Sequence, residues 1–107
     1  IIREDDGLAK SSRNTYLNPD ERKAALILSK SLKKGEDAIN NGERKAQKVI
    51  EIIKDSLSTE PKARIDYVEV VDFENIQRIS EISGETLVAI AVYIGKTRLI
   101  DNFIVKA

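Results

Sequence analysis

The stretch "ETLVAIAVYIG", residues 85–95, constrains the fold more than any other part of the chain. It is an almost unbroken apolar run, and its length and flanking turn residues point to the most buried strand of a sheet. Gly95 and Lys96 turn the chain, and "TRLIDNFIV" (97–105) returns as a hairpin partner. Upstream, "ARIDYVEVVD" (63–72) alternates Ile65 and Tyr67 with Arg64 and Asp66 and reads as a further strand. The intervening "FENIQRISEISG" (73–84) reads as a looser connection with one possible helical turn.

The first half of the chain follows a different period. Asn18 is a good N-cap, Pro19 suits the first helical position, and Glu21 stands three residues after the cap. Ala25, Leu28, Leu32 and Ile39 share one stripe, which predicts a helix over about 19–40, weakened locally by Gly35 and stopped by "NNG". In "ERKAQKVIEIIKDSLS" (43–58), Ala46, Val49, Ile50, Ile53 and Leu57 form a second apolar face, and Pro61 closes the segment. The short connection predicts an antiparallel helix pair. The expected fold is α+β, with two main helices packed on one face of a roughly three-stranded antiparallel sheet.

A chain of 107 residues forms one domain, and the 18 basic and 18 acidic residues cancel. A zero net charge argues against broad nucleic-acid or membrane binding, though it leaves room for a local basic patch. The absence of Cys and His removes thiolate chemistry, His-ligated metals and Ser-His triads. No apolar run approaches the roughly 20 residues that span a bilayer. The chain has no Met and begins on Ile1-Ile2, which reads as an excised domain or a processed product.

Residues 1–17 hold the densest cluster of chemically capable groups. In "GLAKSSRN" (7–14), Ser11 and Ser12 can donate to phosphate oxygens, Arg13 can grip phosphate through two parallel bonds, and Lys10 adds a compact positive charge. These are also common loop residues placed just before a helix start. On composition alone an ordinary polar loop explains them better than an anion site. Glu4, Asp5 and Asp6 could meet Mg²⁺ but read better as a solvated turn. Asp66, Glu69 and Asp72 could suggest acid–base work but read better as exposed strand positions, and Asp101 and Asn102 could be a site but read better as structural residues capping the sheet edge. Lys30, Lys33, Lys34, Lys45 and Lys48 alternate with acids and read as solvated helix faces.

The order of "DGLAKSSRNTYL", "ERKAALILSKSL", "DYVEVVD" and "TRLIDN" resembles the C-terminal domain of the pantoate–β-alanine ligase, or pantothenate synthetase, family. The resemblance covers essentially the whole chain, and "DGLA-x-SSRN" is its specific part. It implies an enzyme that joins pantoate to ATP, giving pantoyl adenylate and pyrophosphate, and then lets β-alanine displace AMP, with Mg²⁺ assisting at the phosphates. It also implies a Rossmann-like N-terminal domain as partner, a cytoplasmic location, and a homodimer formed mainly through that other domain. No nucleic-acid or membrane partner is implied.

Under the same resemblance, residues 1–17 are a hinge and ATP-phosphate loop and residues 18–107 a lid. Ser11, Ser12 and Arg13 would hold the ATP phosphates, with Ser12 and Arg13 stabilising charge on the departing pyrophosphate. Lys10 would stand beside the nucleotide, and Ile2 would meet adenine through its backbone. No metal ligand is carried over. Lys10 departs from the family, which commonly shows Met or Leu there. The family's His-containing nucleotide motif is absent, so the chain by itself is expected to be inactive and its opening loop mobile. A non-catalytic interaction domain is the competing reading.

Overall fold

The computed structural model describes residues 2–107. Its α-helices are α1 (Pro19–Ala24), α2 (Ile27–Asn40) and α3 (Ala46–Leu57), preceded by a 3-10 turn at Ser12–Tyr16. The strands are β1 (Ala63–Asp72), β2 (Gln77–Arg78), β3 (Glu85–Ile94) and β4 (Thr97–Lys106). They form one antiparallel sheet in the order β2-β1-β3-β4. The α+β class and the helix-on-sheet packing are as expected, with four strands in place of three.

The extra strand follows the one helical turn expected in this connection. It is a single α-turn at 72–76, where Asp72 accepts from the Asn75 amide (3.1 Å) and the Ile76 amide donates to the Asp72 carbonyl (2.7 Å). Ile76 takes φ +52° and reverses the chain, which sets Gln77 and Arg78 opposite Asp72 and Val71. Both β2 residues are exposed, so no alternation betrays them. Beyond β2, residues 79–82 run beside the α2–α3 connection, where Ile82 donates to the Arg44 carbonyl and Ala46 to that of Ser80.

The predicted helix over 19–40 is two helices. At Ala25 and Leu26 ψ lies near −20°, and i→i+3 bonds from Leu26 to Lys23 and from Leu28 to Ala25 tighten the turn. Asn18 and Glu21 make the predicted reciprocal cap. α3 starts three residues later than expected, because Lys45 is extended and bridges Glu81.

The core lies between the helices and one sheet face. Leu28, Leu32 and Ile39 from α2 and Val49, Ile53 and Leu57 from α3 meet Val68, Val70, Val88, Ile90, Val92 and Leu99. β3 is indeed the most shielded strand, with Val88, Ile90, Ala91, Val92 and Ile94 all at 0% exposure. Between α2 and α3, Ser31 donates to Ser56 (2.8 Å) within the core, which satisfies two hydroxyls that would otherwise be costly to bury. On the opposite sheet face, Arg64 lies over the Tyr93 ring (4.6 Å) and Arg98 over Tyr67 (5.8 Å).

The acidic residues of β1 have structural partners. Asp66 accepts from Arg98 and Glu69 from Arg78, each at 2.9 Å. On α2, Lys33 pairs with Glu36 and Asp37. Among the described residues no helix is long and apolar enough to cross a membrane.

Candidate nucleotide-phosphate site

The chain enters the candidate loop through a miniature hairpin. Arg3 bridges Ala9, the Glu4 amide donates to the Leu8 carbonyl (2.8 Å), and the Lys10 amide to that of Ile2 (2.8 Å). Gly7 closes the turn at φ +97°, a conformation that disfavours a side chain. Leu8 is 2% exposed and belongs to the core. Arg22 of α1 holds the outer side of the turn through Asp6 (2.8 Å) and Glu4 (3.4 Å). Arg22 draws the Asp6 carboxyl below its ordinary pKa. Two of the three residues weighed as Mg²⁺ ligands are therefore engaged with an arginine.

Beyond the hairpin, the loop faces β4 across a cleft of about 430 Å³. Lys10, Ser11, Arg13 and Asn14 line one side, and Arg98 to Asn102 the other. Ser11 is extended and its Oγ accepts from the Arg13 amide (3.1 Å), starting the 3-10 turn. That contact uses a lone pair of the hydroxyl, so its proton stays available to donate. Arg13 Nη1 donates to the Arg98 carbonyl (3.2 Å). This is its one side-chain hydrogen bond among the described residues, and a guanidinium carries five N–H groups. Asn14 Nδ2 donates to both Glu4 and the Ala9 carbonyl (3.0 Å each), tying the end of the loop to its beginning.

The structure thus brings Lys10, Ser11 and Arg13 around one cleft. Ser12 is exposed beside it and does not line it. Ile2, 74% exposed, sits behind Lys10 as its backbone partner. The Ile2 carbonyl already accepts from Lys10, although a carbonyl has a second lone pair to offer.

Two tertiary contacts of the loop are not visible in the sequence. Lys96 and Arg98 meet Arg13 and Tyr16 around an adjoining hollow of about 570 Å³, which makes a local basic patch on a chain of zero net charge. Asp101, read as a structural residue, is also joined to the loop's entry segment by Arg3. "GKTRLIDN" carries all three residues, but only the fold shows that this strand faces residues 8–14.

Comparison with known proteins decides the family. The profile described as pantoate-beta-alanine ligase matches residues 1–104. The chain belongs to the pantoate–β-alanine ligase family. It is 62% identical over 103 residues to the pantothenate synthetase of Enterococcus faecalis, covering 96% of this chain and 36% of that one. It is 58% identical over 106 residues to that of Clostridium botulinum (strain Langeland), covering 99% and 38%. The crystal structure of pantothenate synthetase from Thermus thermophilus superposes with a TM-score of 0.88 at 32% identity, covering 95% of this chain and 37% of that one. This member of the ligase family therefore spans rather more than a third of the length of these relatives.

Proposed function

We propose that this chain is the C-terminal lid of an ATP-dependent pantoate–β-alanine ligase and that its 9–14 loop holds the ATP phosphates during adenylation. The observation that carries this reading is the convergence of Lys10, Ser11 and Arg13 on one cleft with unused donor capacity. Family membership and the chain's span of about 37% of its relatives support the assignment to a part of the enzyme.

In the proposed first step a pantoate carboxylate oxygen attacks the α-phosphorus of ATP. The bond from that phosphorus to the bridging oxygen of the β-phosphate breaks, and pyrophosphate leaves with the electron pair. Arg13 and the Ser11 hydroxyl, which line the cleft, donate to oxygens on which negative charge builds. In the second step the β-alanine amine attacks the acyl carbon, forming the amide as AMP departs. The lid excludes water, which would otherwise hydrolyse the acyl adenylate.

Mg²⁺ bound to the phosphates would supply charge neutralisation. Among the described residues no group of three or more acidic side chains could hold a metal. Mg²⁺ would be held mainly through the phosphate oxygens and the remainder of the ligase. Ile2 and Lys10, joined as backbone neighbours, would form the edge that meets the adenine side of the nucleotide.

The pantoate and β-alanine pockets belong, on this reading, to the remainder of the ligase. The isolated 107-residue chain is expected to give no pantothenate from pantoate, β-alanine and ATP, and to bind ATP only weakly in calorimetry. Pantothenate formation at an ordinary enzymatic rate by the isolated chain contradicts the lid assignment.

A further inference from the structure

We infer that Arg3 and Asp101 form a positioning pair that sets the phosphate loop against β4. The inference rests on the nucleotide reading above. Asp101 occupies a core-facing position of β4, flanked at alternate positions by Leu99 and Phe103, and its side chain is 1% exposed. Its partner comes from 98 residues away in the chain. Arg3 Nη1 donates to Asp101 Oδ2 (2.7 Å) and Nη2 to Oδ1 (3.0 Å), a two-pronged contact. Oδ1 also accepts from the Asn102 amide (2.8 Å). The same Nη1 donates to the Gly7 carbonyl (3.0 Å), so one guanidinium joins the hairpin turn to the strand.

An ion pair with its carboxylate buried and its guanidinium one-third exposed is weak support for stability, because apolar residues of similar volume commonly serve the fold as well. Leu8 already anchors the hairpin in the core without any charge. What the planar fork adds is a fixed position and orientation, which an apolar contact does not specify. The loop is then attached to β4 twice, at Asp101 through Arg3 and at the Arg98 carbonyl through Arg13. The two points lie roughly 10 Å apart along the strand. Lys10 and Ser11 stand between these attachments, so the entry contact governs where their donors meet a polyphosphate. Displacing reacting groups by about 1 Å costs on the order of a hundredfold in rate.

The test uses the complete ligase that carries this chain. The double substitution Arg3→Met with Asp101→Leu removes both charges together, and Arg3→Lys keeps the charge while losing the fork. Thermal unfolding is measured beside pyrophosphate exchange and the KM values for ATP and pantoate. The double variant is expected to stay folded, with adenylation down about tenfold to a hundredfold, a raised KM for ATP and an unchanged KM for pantoate. Arg3→Lys is expected to stay folded with a smaller loss of the same kind. Wild-type adenylation and KM for ATP in Arg3→Lys overturn the inference, whether or not the double variant folds. An equal rise in both KM values also overturns it, since that marks general damage. Arg13→Ala is run in parallel. If it too is without effect the nucleotide reading fails, whereas a loss confined to Arg13→Ala sinks only the Arg3–Asp101 assignment.

Discussion

Replacing Arg13 by Ala in the complete ligase is expected to lower the rate of adenylation by about a hundredfold to a thousandfold, the usual effect of removing one fixed donor from a developing anion. The fold should hardly notice. Arg13 is exposed, and its side chain makes a single hydrogen bond of 3.2 Å to the Arg98 carbonyl. Loss of such a contact costs about 1 kcal/mol or less. The loss is therefore expected in pyrophosphate exchange and not in the denaturation midpoint. Arg13→Lys should recover only part of the rate, because an ammonium offers a point charge where the guanidinium offers two parallel donors. Unchanged turnover in Arg13→Ala would remove the residue from the site.

The largest structural effect is expected at Gly35. It lies within α2 where that helix meets α3, and a Cβ built there would fall 2.7 Å from Ile53 Cδ1, 2.9 Å from Ile53 Cγ1 and 3.4 Å from Val49 Cγ1. Ile53 and Val49 are both at 0% exposure, so neither can swing into solvent. For Gly35→Ala two effects oppose. The helix gains up to about 1 kcal/mol in propensity, and overpacking costs roughly 1–3 kcal/mol. A mild net loss is expected. Gly35→Val adds two more methyl groups at the same point and should cost about 3 kcal/mol. For a domain of this size that lowers the melting temperature by roughly 12 °C. Calorimetry decides the matter: a Val variant melting within 2–3 °C of the parent would show, at about 4 °C per kcal/mol, that the helices are not held together at this glycine.

Gly35 also marks what could be read from the residues alone. As a helix residue it signals weakness, and only the packing of α2 on α3 turns it into a point of close approach. β1 was legible to its ends, and β3 and β4 to within a residue of theirs, because apolar periodicity and the Gly95-Lys96 turn are local signals. The break at Ala25–Leu26 was not legible, since both residues accept helical and 3-10 backbone alike. β2 was hidden for another reason: it consists of two exposed residues held by pairing with β1, not by burial.

The candidate site divides in the same way. Lys10, Ser11 and Arg13 are close in sequence, so their common chemistry was visible before any fold. Arg98, Lys96 and the Arg3–Asp101 pair reach the same loop through tertiary contacts that span most of the chain. Ser12 shares the motif without lining the cleft. A backbone turn of one residue is enough to separate neighbours that the motif treats alike.

Whether the 9–14 loop holds the ATP phosphates is tested most directly by a crystal structure of the complete ligase with a non-hydrolysable ATP analogue. The expected result is β- or γ-phosphate oxygens at about 3 Å from Ser11 Oγ and the Arg13 guanidinium, with Asp101 still gripped by Arg3. A triphosphate bound elsewhere, with this loop and the facing end of β4 untouched, would contradict it.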